Sequence, residues 1–408
     1  MRPLAQSGTR GLAFWTLVLA STAGHLVNGA TTPVIPRVVQ GELGADPSLA
    51  GLLVSLAAFA SIVAMPVGGM LTDRFGPRRV ILVAACLAAV GLALVLMMLS
   101  VPSLAASRLV YGAGNAAVAT ALTAWVVAEA PPEQRGRALS FFGLSVWVGL
   151  ALGPVLGENL FQSFGHRSVW MAAVVLQLLG LLLAMLARDG RAPRWAAVER
   201  RARSTGRAGS VLPAVALPGA VGLVAWAAEG FLIAFLIPHL VGRGVDAEGL
   251  LGAANVFTVF AASVIAARLL LGGLPDRLGA TTTARISMVL LAVGLGVLSL
   301  SGSFPVAALG AMLVGFGFSP LFPALTLLTT QNLDPGRRAT GVGTFSAFTS
   351  AGYAAGSLVG GLLVTHLGSG QALGILAVLQ LAAIPLLRGG NRGDTGRGRS
   401  YRVEPPLV

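Results

Sequence analysis

The chain has 408 residues, of which 55% are hydrophobic and only 11% are charged. A soluble domain carries about 25% charged residues, so this composition excludes an ordinary soluble enzyme and indicates a membrane protein. All 28 basic residues are arginine, which excludes a phosphate-binding loop ending in Gly-Lys and a Schiff-base lysine. The single cysteine, Cys86, excludes an internal disulfide and a zinc site built from cysteines.

Twelve apolar runs, which we number spans 1 to 12, are long enough to cross a bilayer. A membrane-crossing helix needs about 20 mostly apolar residues, so the runs predict an all-α membrane protein. The predicted spans are 12–36, 48–71, 79–99, 102–128, 138–161, 168–187, 213–239, 249–273, 283–301, 305–329, 340–364 and 370–388.

The positions of the arginines predict the orientation of the chain in the membrane. With an even number of spans both termini share a side, and the segments on that side, including 268–285, hold 24 of the 28 arginines. Arginine accumulates in cytoplasmic loops, so we expect a multi-pass protein of the inner (cytoplasmic) membrane with both termini cytoplasmic. The net charge of +13 then reflects topology and contact with membrane lipid, and no nucleic-acid partner is expected.

An internal repeat appears when the chain is shifted on itself by 203 residues. It predicts two pseudo-symmetric six-helix bundles, 1–187 and 213–388, with a basic cytoplasmic linker at 188–212 and a basic tail at 389–408. Two similar halves around a site at the membrane midplane are typical of secondary transporters. The shift places Gly69, Asp73, Arg74, Gly76, Gly149, Gly153 and Gly157 on Gly272, Asp276, Arg277, Gly279, Gly352, Gly356 and Gly360.

Three motifs lie at matching places in this pattern. The loop after span 2 reads Gly69-Met-Leu-Thr-Asp73-Arg74-Phe-Gly76-Pro-Arg78-Arg79, span 4 carries Arg108-Leu-Val-Tyr-Gly112-Ala-Gly114, and span 5 carries Gly149-Leu-Ala-Leu-Gly153-Pro154-Val-Leu-Gly157. On these motifs the chain resembles the major facilitator superfamily, and the span 5 motif resembles its 12-helix proton-coupled exporters of drugs or metabolites. The resemblance implies the major facilitator fold, with a central cavity lined mainly by spans 1, 4, 7 and 10.

Asp73 lies at a helix end near the predicted cytoplasmic face. A carboxylate there accepts bonds from arginine and from the free N–H groups of a helix N-terminus. The resemblance implies a conformational latch between the halves, facing the start of span 11 at Thr340–Gly343; a topology anchor is the alternative. The latch residues are Gly69, Asp73, Arg74, Gly76, Arg78, Arg79, Asp276 and Arg277.

The glycines of span 5, Gly149, Gly153 and Gly157, lie four residues apart and form one stripe along the helix. Small residues at this spacing let helices approach closely in lipid, and Pro154 removes a backbone hydrogen bond. The resemblance implies a bend, or a seal against span 8 that limits leakage. Plain tight packing is the alternative.

Two charged residues lie well inside the spans, where a charge is costly and therefore marks a candidate functional site. Glu229 in span 7 is the candidate for the proton-exchanging group, and a structural hydrogen bond is the alternative. Arg108 in span 4 stays protonated, so it would tune a partner carboxylate or bind an anionic group, unless it snorkels to the outer surface. We expect Glu229 to hold either substrate or Arg108 electrostatically until it takes up a proton.

Polar and aromatic residues complete the predicted site. His25 and Asn28 share a face of span 1 at the height of Glu229, and Asn115 shares a face with Arg108. A neutral core histidine is the alternative for His25, and ordinary bonding to backbone carbonyls is the alternative for serine and threonine. The predicted cavity-lining residues are Asn255, Thr258, Phe318, Phe322, Thr326, Ser346, Thr349 and Tyr353.

These observations predict a secondary active transporter that works by alternating access. We expect it to export a small-molecule substrate in a proton-coupled manner. Proton symport of a sugar or organic acid is the alternative, and a membrane receptor or enzyme is a further one. The sequence has no metal-spaced His/Cys cluster and no evident nucleophile–base pair, so we expect no catalysis, no cofactor and no metal. The expected partners are the substrate, protons and membrane lipid, with the chain as a monomer.

Overall fold

The computed structural model describes residues 8–45, 47–187, 210–246, 251–331 and 333–390, and all regular secondary structure in these ranges is helical. The helices form two pseudo-symmetric six-helix bundles, which confirms the predicted fold class. Most of the predicted linker, at 188–209, and most of the predicted tail, at 391–408, lie outside the described residues.

The first bundle begins with span 1 at Gly8–Thr31, span 2 at Pro47–Phe75, span 3 at Pro77–Met97 and span 4 at Val101–Glu129. Span 5 begins as Arg135–Phe142, and the helix Leu144–Leu186 contains the rest of span 5 and all of span 6. The two spans separate at Gly165, whose φ of 75° is a backbone conformation that glycine adopts without steric cost.

The second bundle repeats this order, and its helices lie within a few residues of the predicted spans. A short helix, Leu274–Leu278, joins spans 8 and 9, and a 3₁₀ segment, Ile384–Gly390, follows span 12. Spans 7 to 12 are Leu212–Gly242, Ala253–Leu271, Ala280–Leu300, Phe304–Gln331, Arg338–Leu367 and Ser369–Ala383.

Span 1 ends earlier than predicted. The helix stops at Thr31, and a separate short helix, Val34–Gly41, begins after Pro33. A proline disfavours helical backbone in the residue before it, which ends the first helix here. The short helix buries four apolar side chains against the first bundle, Val34, Ile35, Val38 and Val39.

Nine helices within the described residues are long and apolar enough to cross a membrane. One of the nine covers spans 5 and 6 together, and span 8 is a shorter apolar helix. Span 1 is not among the nine. It has 24 residues, but the polar side chains of His25 and Asn28 lower its mean hydropathy. Large apolar side chains such as Val83 and Leu300 point outward, 69% and 77% exposed, as lipid-facing positions require.

Candidate functional site

The Asp73 carboxylate joins the two bundles at the face that carries Arg74, Arg78, Arg277 and Arg337, which we call the arginine-rich face. Its Oδ1 accepts a hydrogen bond from the Ala339 N–H at 3.0 Å, and its Oδ2 accepts bonds from the Thr340 N–H at 2.7 Å and the Thr340 hydroxyl at 2.5 Å. These amides belong to the first turn of span 11, where N–H groups have no partner inside the helix. The carboxylate therefore caps span 11 from the other bundle.

Asp276 makes the corresponding contact in the opposite direction. Its Oδ1 accepts from the Gly136 N–H at 2.8 Å, and its Oδ2 accepts from the Arg137 N–H at 2.9 Å, in the first turn of span 5. Burial raises the pKa of the Asp276 carboxyl, and the two amide donors oppose that rise. The donors thus favour the charged form that the contact needs.

The two contacts obey the 203-residue repeat, because Asp73 corresponds to Asp276 and the amides at 339 and 340 correspond to those at 136 and 137. Gly69 of the first motif also touches the other bundle, because a Cβ there would overlap the Ala339 carbonyl of span 11, whereas two of the motif's arginines contact their own bundle. The Arg74 guanidinium lies over the Phe75 ring at 5.0 Å, and Arg78 donates to the Met185 carbonyl at 2.7 Å within its own bundle.

Closer to the membrane centre the bundles meet along two seams. In the seam between spans 5 and 8, the Ser140 hydroxyl donates to the Gly272 carbonyl at 3.1 Å, and the rings of Trp147 and Phe260 are 5.5 Å apart. In the seam between spans 2 and 11, the Ser350 hydroxyl lies 3.5 Å from the sulfur of Met65. The contacts between the bundles therefore extend from the arginine-rich face inward.

The glycine stripe of span 5 packs on span 1, so the predicted seal against span 8 is wrong. A Cβ at Gly153 would lie 2.6 Å from the Gly29 Cα, and a Cβ at Gly157 would overlap the Ala30 carbonyl. Span 1 offers small residues at the matching heights, which lets the two backbones approach within one bundle. The helix continues through Pro154 without a non-helical residue there.

Glu229 lies next to an aromatic cluster in the second bundle. Trp226, one turn before it in span 7, has its ring centroid 4.7 Å from that of Phe318, 5.9 Å from Phe322 and 6.5 Å from Phe345. The side chain of Glu229 is partly buried, and the charged group that acts on its carboxylate is Arg268 of span 8. Tyr353 of span 11 is also within electrostatic range of the carboxylate.

Arg108 is not paired with Glu229, contrary to the expectation from sequence. Its side chain is 4% exposed, so it does not snorkel to a surface. It donates a long hydrogen bond of 3.4 Å to the Val54 carbonyl, and its guanidinium lies 5.8 Å from the centre of the Tyr111 ring. These partners belong to the same bundle as Arg108, whereas Glu229 belongs to the other.

Asn115 of span 4 lies against Gly24 of span 1, next to His25 in the chain. The His25 Nδ1 lies 2.9 Å from the Ser21 carbonyl, and a Cβ on the neighbouring Gly24 would lie 3.2 Å from the Asn115 Oδ1. Asn28 is exposed, and its Oδ1 accepts a bond from the Thr32 hydroxyl at 3.2 Å. His25 itself packs on span 5, where a Cβ at Gly149 would overlap the His25 Cβ.

The remaining candidates are spread over the second bundle. Phe318 and Phe322 belong to the aromatic cluster described above. Thr326 is fully buried and its hydroxyl has no hydrogen-bond partner, while the Thr349 hydroxyl donates to the Ser346 carbonyl at 2.8 Å. Thr258 is exposed and Asn255 partly buried near the start of span 8. Within the described residues, no group of His, Cys, Asp or Glu is arranged to hold a metal ion.

Arg268 is the site residue that the sequence reading missed, because it was counted among the arginines of the cytoplasmic face. It is only 5% exposed, and its Nη1 donates to the Ser140 carbonyl of the other bundle at 3.2 Å. The signal was present in the sequence, because residue 268 lies inside the predicted span 249–273. Trp226, which shares a helix face with Glu229, is a second site residue that was not predicted from the sequence.

The sequence also matches a family model described as Major Facilitator Superfamily, over residues 17–256 and again over residues 219–405. The chain belongs to the major facilitator superfamily. As a member of this family, it is a multi-pass membrane transporter.

Relatives within the superfamily match nearly the whole chain. The uncharacterized MFS-type transporter YhhS of Escherichia coli K12 is 26% identical over 401 residues, which is 94% of each chain. An uncharacterized MFS-type transporter of Burkholderia mallei is 29% identical over 356 residues, covering 82% of this chain and 83% of the relative.

Solved structures of the superfamily share the fold. The human organic anion transporter MFSD10 (TETRAN) superimposes with a TM-score of 0.75 at 18% identity, over 92% of this chain and 99% of that chain. The proton:xylose symporter XylE superimposes with a TM-score of 0.74 at 16% identity, over 92% of this chain and 95% of that chain. At these identities the likeness shows the fold alone.

Proposed function

We propose that this transporter exports a small molecule across the cytoplasmic membrane in exchange for protons, as drug or metabolite efflux carriers do. One observation carries the proposal: a partly buried carboxylate, Glu229, lies inside a bundle whose contacts with the other bundle are concentrated at the arginine-rich face. A proton arriving from the opposite side then reaches Glu229 while the arginine-rich side is shut.

The arginine-rich face is the cytoplasmic face in this proposal. Positive residues accumulate in cytoplasmic loops, and the helix ends at this face carry Arg74, Arg78, Arg277 and Arg337. Both termini then lie in the cytoplasm, and the present conformation faces outward. Asp73 and Asp276 form the conformational latch that holds this state, each by capping a helix of the other bundle.

The transport cycle follows from this arrangement. Outside, a proton neutralises Glu229, the two bundles separate at the arginine-rich face, and the cavity opens to the cytoplasm. There the proton leaves Glu229, and substrate binds between the aromatic cluster around Trp226 and the polar residues His25 and Asn115 of the other bundle. Closing of the arginine-rich face returns the loaded cavity to the outside. Exchange is coupled when proton uptake by Glu229 lowers the affinity for substrate, and bound substrate then lowers the affinity for the proton to the same extent.

The decisive test is Glu229→Gln in proteoliposomes that hold the purified protein and a pH-sensitive dye. We expect wild-type protein to couple substrate movement to proton movement in the opposite direction, across a panel of drug-like cations, anions, sugars and amino acids. Gln cannot exchange a proton, so the variant should lose pH-driven transport by at least about tenfold while it still binds substrate.

Glu158→Gln is the matched control, since this carboxylate lies at the end of span 5 and pairs with Arg37 at 2.7 Å. It should retain pH-driven transport. Proton and substrate movement in the same direction would identify a symporter of a sugar or organic acid and contradict export. Unchanged pH-driven transport in Glu229→Gln would show that another group exchanges the proton.

A further inference from the structure

Arg268 is a buried charge that sits on the boundary between the two bundles. It is 5% exposed in span 8, its Nη1 donates to the Ser140 carbonyl of span 5 at 3.2 Å, and its Nε has no partner. A guanidinium offers five N–H donors, and the Nε–H is one that this buried position leaves without a partner. Burial of such a cation is costly, and the cost depends strongly on any charge nearby.

Gly143 provides the space that the guanidinium occupies. A Cβ at this position would overlap the Arg268 Nη1 and lie 2.7 Å from its Cζ, and the three nearest heavy atoms all belong to Arg268. The backbone of Gly143 is ordinary right-handed helix, with φ of −67° and ψ of −10°. Glycine is therefore not required there for its conformation, and what it supplies is room for the arginine.

The pseudo-symmetric seam lacks this charge. The 203-residue shift places Met65 on Arg268 and Gly343 on Ser140, and a Cβ at Gly343 would overlap the Met65 carbonyl. In that seam, spans 2 and 11 are in direct backbone contact next to an apolar side chain. In the seam of spans 5 and 8, a cation lies between the bundles beside their direct contacts. The seam of Arg268 is thus the one that an electrostatic change can weaken.

Glu229 is the carboxylate whose charge acts on Arg268. Among the described residues of the helices packed on span 7, the titratable groups within electrostatic range of Glu229 are Arg268 of span 8 and Tyr353 of span 11. Span 10 presents the rings of Phe318 and Phe322 to this region, and span 12 presents the uncharged Gln380, which donates to the Val224 carbonyl. Arg268 is therefore the cation that responds to ionisation of Glu229.

We propose that Arg268 is a positioning residue that transmits the charge state of Glu229 to the contact between the bundles at the arginine-rich face. The proposal rests on the proposed function, because it takes Glu229 as the proton-exchanging group. While Glu229 is ionised, its negative charge compensates the buried guanidinium and stabilises the closed face. When a proton from outside neutralises Glu229, the cation loses this compensation, leaves the space at Gly143 and becomes hydrated as the face opens.

A distance measurement across the arginine-rich face tests this link. Two spin labels on cysteines at Glu133 and Asp334, both exposed and in different bundles, report opening after the single native cysteine, Cys86, is replaced by serine. We expect the long-distance population to grow as the pH falls. Glu229→Gln should raise that population about fivefold or more at alkaline pH, the lower end of ordinary allosteric coupling.

Arg268→Met gives this position the residue of the symmetric seam, and it should abolish the part of the pH response that depends on Glu229. The part that comes from protonation of Asp276, whose pKa is raised by burial, should remain. In its background Glu229→Gln should no longer change the distances. Arg268→Lys, which keeps a positive charge, should retain part of the response. Arg285→Met is the matched control, since Arg285 donates to the Leu387 carbonyl within its own bundle, and it should keep the whole response.

Gly143→Ala supplies a second, independent variant in case Arg268→Met does not fold. Its methyl group displaces the guanidinium, so the long-distance population should rise at alkaline pH, and adding Arg268→Met should reverse that rise. A full pH response in Arg268→Met would overturn the proposal while leaving proton-coupled transport by wild-type protein intact. Conversely, the pH response could require Arg268 in a protein that moves no protons with substrate. That result would reject the proposed exchange but support the role of Arg268 between Glu229 and the arginine-rich face.

Discussion

At the scale of single residues, the two buried arginines differ in what moves with them. The partners of Arg108, the Val54 carbonyl and the Tyr111 ring, belong to its own bundle, so they accompany it when the bundles rock. The Ser140 carbonyl and the space at Gly143 belong to the bundle opposite Arg268, so they leave it. A change of conformation therefore alters the environment of Arg268 directly and that of Arg108 only through water or substrate.

Arg108→Met should separate the stability of the fold from transport. Replacing a poorly paired buried charge by an apolar side chain of similar length is neutral or stabilising by up to about 4 kcal/mol, so we expect an unchanged or higher melting temperature in detergent. If Arg108 binds an anionic group or serves proton coupling, pH-driven transport falls at least about tenfold in the same variant. A large loss of thermal stability would instead identify Arg108 as a structural residue.

At the scale of helices, the glycine stripes fix which spans form pairs. Gly149, Gly153 and Gly157 lie against span 1, and the repeat of this stripe in span 11 lies against span 7, where a Cβ at Gly352 or Gly356 would overlap the backbone. Without a hydrophobic driving force between helices in lipid, such close backbone packing is a main source of association. Each stripe therefore holds its own bundle together as a rigid body, which a rocking motion of two bundles requires.

Gly153→Ala tests this packing role. The added methyl group would meet the Gly29 Cα and carbonyl carbon at 2.6 and 2.8 Å, and backbone atoms cannot turn aside as a side chain can. We expect a loss of stability of about 1–3 kcal/mol, seen as a lower melting temperature. Gly296→Ala in span 9 is the control, because a Cβ there has nothing within 4 Å, and it should be neutral or stabilising. Equal stability of the two variants would contradict close packing of spans 1 and 5.

At the scale of the whole molecule, two carboxylates related by the repeat join the bundles at the arginine-rich face. Each one joins a helix of one bundle, span 2 or the short helix Leu274–Leu278, to the first turn of a helix in the other, so a single rocking motion breaks both contacts. The contacts are unequal, because Asp73 accepts a third hydrogen bond from the Thr340 hydroxyl. The closed face is therefore held more firmly at span 11 than at span 5.

Asp73→Ala and Asp276→Ala should both shift the molecule toward the open arginine-rich face, measured with the same pair of spin labels. Hydrogen bonds to a charged group contribute about 1.5–3 kcal/mol each, so each variant should raise the open population at least about tenfold, and Asp73→Ala should raise it more. Asp246→Ala, an exposed position between spans 7 and 8, should leave the distances unchanged. Equal and small changes in the open population would show that the two seams, between spans 5 and 8 and between spans 2 and 11, hold the face closed without the carboxylates.

Composition, hydropathy and motif spacing are enough to predict the membrane class, the twelve spans, the repeat and the family. These are properties of each segment: a helix in lipid must be apolar along its length, and the motifs around Asp73 and Gly153 are read within a dozen residues. The sequence also singled out Glu229, because a carboxylate inside an apolar run stands out without any knowledge of its neighbours. The predicted boundaries of most spans also lie within a few residues of the helix ends in the structure, and the end of span 1 before Pro33 is the exception.

Which of these groups are in contact can be seen only in the folded structure. The partner amides of Asp73 lie 266 and 267 residues away along the chain, and the cation that acts on Glu229 proved to be Arg268 and not Arg108. The same holds for the glycine stripe of span 5, which faces span 1 and not span 8. Such pairings depend on the rotation of each helix about its axis and on how closely neighbouring backbones pack. These quantities are fixed jointly by all twelve spans, and the hydropathy of a single span does not contain them.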